Sequence, residues 1–189
     1  MVTKIFIDQA HNPSGTFDSG LFLNGVAESN VVYNIGIDTA GFFRTHLFDV
    51  RLSRPTPETI IGTDTATSIM DRINMANEWR ADLFLCLHCN SSPDTRVFGT
   101  EMHIRRLYDV SDSIANSILQ NVVRLSDIKN NGVHVIRSYT LDNVHMPAVL
   151  IAVGYLSNPM EARRINDRTF QHRYAQGIYR GLVEHYILP

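Results

Sequence analysis

Three side chains that could bind a metal ion lie far apart in the sequence. His11 follows the apolar run KIFID by three residues, His88 ends the apolar run LFLCLH, and Glu28 begins a segment of helical periodicity. Ligands of open α/β sheets bind beyond the carboxyl ends of the strands, where a returning helix also begins. Two histidines, one glutamate and an open fourth position form a catalytic zinc site. The alternative is structural, with hydrogen-bonded imidazoles and a glutamate favoured by the helix dipole.

Two cysteines accompany the second histidine. Cys86 and Cys89 are the only cysteines of the chain, so a disulfide scaffold is excluded. Residues three apart in an extended strand point to opposite faces, which predicts that the two thiols do not pair. We expect both to be small buried hydrophobic residues, with metal ligation by Cys89 as a secondary alternative.

The order of the elements predicts an α/β layered fold in one domain, residues 1–189. Apolar runs alternate with segments of helical period, as in such folds. The predicted strands are KIFID, HLFDVRL, DLFLCLH, GTEMHI, GVHVI and AVLIAVG, and the predicted helices cover residues 28–43, 65–79, 108–125 and 167–186. KIFID, LFLCLH and AVLIAV are apolar throughout, as expected of strands covered on both faces, so we expect them in the middle of the sheet.

Composition narrows the classes of function. The chain has 189 residues, 17 basic and 19 acidic, and a formal net charge of −2. This balance provides no strong field for nucleic acid or an anionic membrane. No window approaches about 18 consecutive apolar residues, and no signal-like segment opens the chain, so we expect neither membrane insertion nor a signal peptide.

Four motifs in order resemble a known family. IFIDQAHNPSG, GVAESN, ADLFLCLHCNSS and MPAVLIAVGYLSNP resemble the motifs of the zinc-dependent N-acetylmuramoyl-L-alanine amidases of bacterial cell-wall, sporulation and phage endolysin systems. The resemblance runs from about residue 4 to residue 186. It implies Zn²⁺ bound by His11, Glu28 and His88. It also implies a three-layer α/β/α domain with a twisted, mostly parallel sheet of about six strands.

The resemblance also implies a reaction and a setting. The family hydrolyses the amide between N-acetylmuramic acid and L-alanine in peptidoglycan, so peptidoglycan or a muropeptide is the expected substrate. Action at the bacterial cell wall follows, by a secreted or phage-released enzyme, with a possible wall-binding or regulatory partner. Zinc would polarise the carbonyl and lower the pKa of water, and a carboxylate would transfer the proton.

One position departs from the family pattern. Ala152, in LIAVGYLSNP, stands where the family has its catalytic glutamate, so the resemblance implies a form inactivated at the general base. Glu101 and Glu161 are the nearest substitutes, and we expect both to be surface or structural groups. Two explanations compete for Ala152. The intact flanking motif favours a deliberate alanine substitution over a natural relative that binds cell wall without cutting it.

Two asparagines are candidates for substrate contact. Asn12 follows His11, and Asn90 follows His88 by two residues. Each could bind the peptide, or could hold its loop through side-chain hydrogen bonds.

Six further histidines are expected to be structural. His172 and His185 fall on the surface of the last predicted helix, while His103 and His134 fall in short strands and could support the metal ligands. The others are His46 and His145.

Two other functions use the same residues. A non-catalytic peptidoglycan-binding or regulatory relative would keep the ligands and lack turnover. A zinc peptidase or deacetylase would use the same ligand set on a different amide.

Overall fold

A six-stranded sheet forms the centre of the protein in a computed structural model that describes residues 2–43 and 48–187. The strands, in chain order, are β1 Thr3–Asp8, β2 Phe22–Leu23, β3 Val26–Ala27, β4 Phe48–Leu52, β5 Leu83–Asn90, β6 Thr100–Ile104, β7 Asn130–Val135 and β8 Ala148–Tyr155. The sheet order is β4-β1-β5-β8-β6-β7, and β2 pairs with β3 in a separate hairpin. Of the strand pairs that the described residues form in this sheet, β6–β8 is antiparallel and the other four are parallel. The predicted mostly parallel sheet of about six strands is confirmed.

Helices cover both faces of the sheet. They are α1 Glu28–Phe42, α2 Thr65–Trp79, α3 Val110–Ser126, α4 Tyr139–Asn143, α5 Pro159–Ile165 and α6 Arg168–Tyr186. Apolar side chains of α1, α3 and α6 join one core with one face of the strands. Those of α2 and α4 join a smaller core on the other face. The three-layer α/β/α architecture is therefore confirmed.

The continuously apolar strands lie inside the sheet, as predicted. In β5, Leu85 and Leu87 belong to the larger core, whereas Phe84 and Cys86 belong to the smaller one. Each face of such a strand is buried by a helix layer, so the strand needs no polar alternation. Among the described residues, no helix is long and apolar enough to cross a membrane.

Most predicted boundaries agree with the structure, and the differences have local causes. β5 continues past His88 to Asn90, and the hairpin and α4 were not predicted. Helix α5 was not predicted either. It begins soon after β8, because the Asn158 side chain accepts hydrogen bonds from Met160 N and Glu161 N and caps the helix. His46, at the start of the predicted strand HLFDVRL, lies outside the described residues.

Helices α3 and α6 pack closely through two glycines. A Cβ at Gly177 would lie 2.6 Å from the Cα of Val122, and one at Gly181 would lie 2.5 Å from the Cα of Ile118. Both obstacles are backbone atoms and cannot rotate away. The α6 glycines therefore set how near the two helices approach.

Replacing Gly181 with alanine should lower the free energy of unfolding. The added methyl forces α3 and α6 apart, which typically costs about 1–3 kcal/mol in a packed core. Urea denaturation of Gly181→Ala and the parent chain measures the difference. Gly41→Ala is the matched control, because a Cβ there meets no atom outside its own helix backbone within 4 Å among the residues that the structure describes. Equal unfolding midpoints for both variants would contradict the packing argument.

Candidate metal centre

His11, Glu28 and His88 converge beyond the carboxyl ends of two neighbouring strands. His11 follows β1, His88 lies near the end of β5, and Glu28 is the first residue of α1. The Nε2 of His11 lies 3.2 Å from Oε1 of Glu28, and the Nδ1 of His88 lies 3.3 Å from the same oxygen. One ligand atom from each residue lies within 4.8 Å of the others. The structure thus brings the three predicted ligands together.

The spacing of these atoms fits tetrahedral zinc. Bonds of about 2.0–2.1 Å to nitrogen and oxygen place two ligand atoms of a tetrahedron about 3.3 Å apart. The observed separations are 3.2 and 3.3 Å. Two imidazoles and one carboxylate leave a fourth position for water or substrate. The side chains of His11 and His88 are 15% and 28% exposed, so solvent reaches this centre.

The electrostatics of the centre favour a cation. Burial lowers the pKa of His11, but hydrogen bonds and negative charge from Asp18 and Glu28 outweigh it and raise that pKa to about 9. Burial raises the pKa of Glu28, but the contacts with His11 and His88 outweigh burial and hold that pKa well below its ordinary value. The centre therefore attracts positive charge at neutral pH.

Asp18 orients the first histidine. Its Oδ1 lies 3.1 Å from Nδ1 of His11, and because a carboxylate only accepts, Nδ1 donates a proton to Asp18. Nε2 faces Glu28 and is the nitrogen that a metal ion would bind in place of a proton. Its Oδ2 accepts hydrogen bonds from Ser68 Oγ and Arg72 Nη2, both at 2.8 Å. A carboxylate behind a ligating histidine fixes its tautomer and raises its basicity. Sequence reasoning missed Asp18, whose only signal is an acidic residue in the first long loop.

Backbone geometry holds the glutamate in place. Oε2 of Glu28 accepts from Leu21 N at 2.8 Å, and Oε1 accepts from Cys89 N at 2.7 Å. Gly20 has φ +74°, and a Cβ there would lie 2.7 Å from Cδ2 of His11 and 2.8 Å from Oε2 of Glu28. The loop between the two ligands therefore requires glycine at this position.

The cysteines are buried and belong to opposite cores. Cys86 packs in the smaller core and Cys89 in the larger one, and both are free thiols. Burial raises the pKa of each thiol well above its ordinary value, which disfavours the thiolate that binds metal. The expectation of small buried hydrophobic residues is confirmed.

Ala152 lies beside the centre in the middle of the sheet. It is fully buried on β8, in register with His88 of β5 and with Glu101 of β6. A side chain at this position shares a face with His88, as required of a group that serves the same centre.

The two candidate substitutes have different surroundings. Glu161 is buried, and its carboxylate accepts hydrogen bonds from Gly99 N and Tyr155 N at 2.8 and 2.6 Å, so it holds two loops together. Burial raises its pKa above the ordinary value. The side chain of Glu101 is 14% exposed and shares the face of Ala152 and His88. Neither glutamate lies on the exposed surface, and the contacts of Glu161 agree with the structural alternative of the expectation.

The two asparagines differ in accessibility. The amide of Asn12 is fully buried, donating to Ile61 O at 3.0 Å and accepting from Ile61 N at 2.9 Å, which supports the loop-holding alternative. Asn90 is half-buried and donates to Oε1 of Glu101 at 2.7 Å. Substrate contact by either residue stays a prediction.

Among the remaining histidines that the structure describes, none belongs to the group of three ligands, and two lie close to Glu101. His145 and His172 are exposed and His185 is half-buried, as expected of surface groups on helices and loops. His103 lies 3.0 Å from Oε1 of Glu101, and His134 lies 3.9 Å from Oε2.

Comparison with known proteins agrees with this geometry. The family model described as N-acetylmuramoyl-L-alanine amidase matches residues 5–184. The chain is 29% identical over 184 residues to the N-acetylmuramoyl-L-alanine amidase LytC of Bacillus subtilis, covering 96% of this chain and 35% of LytC. It is 28% identical over 189 residues to the N-acetylmuramoyl-L-alanine amidase CwlM of Bacillus licheniformis, covering 96% of this chain and 68% of CwlM.

A solved structure has the same fold. The catalytic domain of the N-acetylmuramoyl-L-alanine amidase CwlV of Bacillus (Paenibacillus) polymyxa var. colistinus superposes with a TM-score of 0.87 at 26% identity, and the match covers 100% of each chain. The present chain spans about a third of the length of LytC, so it corresponds to one part of that relative. The family match, the shared fold and the convergence of His11, Glu28 and His88 agree, and the chain belongs to the N-acetylmuramoyl-L-alanine amidase family.

Proposed function

We propose that residues 1–189 are the catalytic domain of a zinc amidase that acts at the bacterial cell wall. Its reaction is hydrolysis of the amide between N-acetylmuramic acid and the L-alanine of the stem peptide. The observation that carries this proposal is the pair of separations of 3.2 and 3.3 Å between Glu28 Oε1 and the two imidazoles. Membership of the amidase family supports the substrate. A secreted or phage-released route and a wall-binding or regulatory partner belong to the same proposal.

The protein supplies a rigid set of donors for this chemistry. Bound zinc would polarise the scissile carbonyl and lower the pKa of a water toward about 7. His11 Nε2 and His88 Nδ1 would hold it with Glu28, while Asp18 keeps His11 in the required tautomer. Hydrolysis also needs a group that takes a proton from water and gives it to the departing amine, and Ala152 has none to offer.

The methyl group at position 152 favours a second candidate function. A natural relative with intact ligands and no general base would bind peptidoglycan without cutting it. A deliberate alanine substitution would leave the same residues. The intact turn after Ala152 favours the deliberate substitution over the natural relative. The two candidates differ in whether a restored carboxylate yields turnover.

The chain should bind about one zinc ion. Metal content measured by mass spectrometry after gel filtration should approach one equivalent for the parent and fall far below it for His88→Ala, which loses one of three ligands. His145→Ala is the control, because His145 is exposed and lies outside the group formed by His11, Glu28 and His88. Equal zinc in the two variants would contradict the assignment.

Asp18→Asn should weaken zinc binding by about 10- to 100-fold, the usual effect of removing a carboxylate behind a ligating histidine. Competition with a chromophoric chelator measures the affinity. Asp127→Asn provides the control, because Asp127 is exposed at the end of α3. Unfolding of the metal-free variant must be measured as well, since Asp18 also pairs with Arg72. A folded variant with parental zinc affinity would refute the orienting role.

Ala152→Glu should raise hydrolysis of an N-acetylmuramoyl peptide by about 10²- to 10⁴-fold, the usual contribution of a positioned proton acceptor. Chromatography of the released peptide gives the rate. Ala66→Glu adds the same charge at an exposed position in the first turn of α2 and should change nothing. A folded, zinc-loaded Ala152→Glu protein without turnover would favour the non-catalytic candidate instead, and cleavage of a different amide would favour a peptidase or deacetylase.

A further inference from the structure

Three residues form a row across neighbouring strands at the edge of the metal centre. His88 on β5 pairs with Ala152 on β8, and Ala152 pairs with Glu101 on β6. Residues in register on adjacent strands point to the same face. His88 and Glu101 therefore share a face and are separated by a single methyl group, across two strand spacings of about 4.8 Å each.

The carboxylate of Glu101 extends across β8 toward the strand of the metal ligand. Its Oε1 accepts a hydrogen bond from Nδ2 of Asn90 at 2.7 Å, and Asn90 belongs to β5, two residues after His88. Its Oε2 accepts from the hydroxyl of Tyr155 on β8 at 3.4 Å. A contact that spans three strands requires a small residue on the middle strand, and Ala152 is that residue.

Two histidines complete the surroundings of this carboxylate. His103 Nε2 lies 3.0 Å from Oε1, and His134 Nε2 lies 3.9 Å from Oε2. Burial lowers the pKa of His103 and outweighs the opposing effect of the Glu101 carboxylate, with smaller lowering contributions from the charges of His134 and His88. Because a carboxylate only accepts, Nε2 of His103 donates its N–H to Oε1 of Glu101.

The other carboxylates near the centre have fixed partners. Glu28 faces the two histidine ligands, and Asp18 is held by His11, Ser68 and Arg72. Glu161 accepts backbone hydrogen bonds on both oxygens. Glu101, like Asp18, is held by side chains, but it differs in position, because it lies in the row with His88 and Ala152 on neighbouring strands and its side chain is 14% exposed.

We propose that Glu101 is the proton acceptor of this chain, in the place left by Ala152. This inference rests on the proposed amidase function. The Glu101 carboxylate takes one proton from the attacking water, the hydroxide oxygen bonds to the lactyl carbonyl carbon, and the carbon–nitrogen bond breaks. The same proton passes from Glu101 to the alanine nitrogen, so one water is consumed and one carboxylic acid and one amine are formed.

Asn90 is a positioning residue in this arrangement. Its amide donates to Oε1 at 2.7 Å and draws that oxygen toward β5, the strand that contains His88. The carboxylate of Glu101 on β6 thus takes the place of a glutamate at position 152 on β8. This arrangement needs the small side chain of Ala152 and the amide of Asn90.

The test compares four zinc-loaded proteins: the parent, Glu101→Gln, Ala152→Glu, and the variant with both changes. We expect slow but measurable hydrolysis of an N-acetylmuramoyl peptide by the parent, and a loss of about 10²-fold or more in Glu101→Gln. In the Ala152→Glu background the Glu101→Gln change should lower the rate of hydrolysis several-fold at most, because a second carboxylate is present. Residues that perform one role in this way are strongly non-additive.

Two further measurements separate proton transfer from structure. Zinc affinity and the affinity for the N-acetylmuramoyl peptide should be the same in the parent and in Glu101→Gln, because the proposal gives Glu101 no part in either. Glu101→Asp keeps the charge and shortens the reach, so it should recover part of the rate that Glu101→Gln loses. Glu78→Gln, an exposed carboxylate in the last turn of α2, is the matched control and should keep the parental rate.

Several results would overturn the assignment of Glu101. They are a parent without turnover although Ala152→Glu is active, equal losses from Glu101→Gln in both backgrounds, or a loss of zinc affinity that matches the loss of rate. An inert Ala152→Glu protein that folds and binds zinc would instead contradict the amidase function itself, and the two failures are thereby distinguished.

Discussion

The carboxylate of Glu28 is 2% exposed. A carboxylate that is buried in this way must be surrounded by hydrogen-bond donors or cations, because burying an unpaired charge is costly. Two backbone amides, those of Leu21 and Cys89, donate to it, and both imidazoles lie against Oε1. This requirement joins the first loop, the start of α1 and the end of β5 at one point. A divalent cation in the same place would satisfy the same charge, so one arrangement serves both folding and metal binding.

The sheet brings these donors together. β1 and β5 are parallel neighbours, so the loop that contains His11 and the strand end that contains His88 open on the same edge. That pairing is possible because both strands are apolar on both faces and can be buried under α1 on one side and α2 on the other. The polar centre therefore depends on the continuity of the apolar strands, although no apolar side chain supplies a ligand.

The sequence predicts the elements better than their lateral contacts. Strand composition and helical period identify β1, β5, β8, α1 and α2. A strand buried on both faces is apolar throughout, and a helix buried on one face repeats apolar residues every three or four positions. The antiparallel insertion of β6 between β8 and β7 leaves no such pattern, since strand order is decided by packing between distant segments. The row from His88 to Glu101 depends on that insertion, and sequence reasoning therefore treated Glu101 as a surface or structural group.

In the candidate site, too, sequence patterns do not show contacts between distant segments. His11, Glu28 and His88 are recognisable because imidazoles and a carboxylate follow strand ends or open a helix. Asp18 is not, because a loop carboxylate gains its role only through contacts with His11 and Arg72. Gly20 is similar, since its glycine requirement arises from the side chains that approach it.

The methyl group at position 152 also bears on stability. A glutamate there would face Glu101 in an antiparallel pair, with Cβ atoms about 4.5–5.5 Å apart, and like charges placed directly opposite each other destabilise a sheet. Alanine removes that repulsion and leaves room for the Glu101 carboxylate to reach Asn90. A site that holds two carboxylates side by side is strained for the sake of chemistry, as active sites commonly are. Ala152 relaxes this strain, so the absence of a carboxylate at position 152 and a more favourable sheet have the same physical origin, whether the alanine arose by design or by descent.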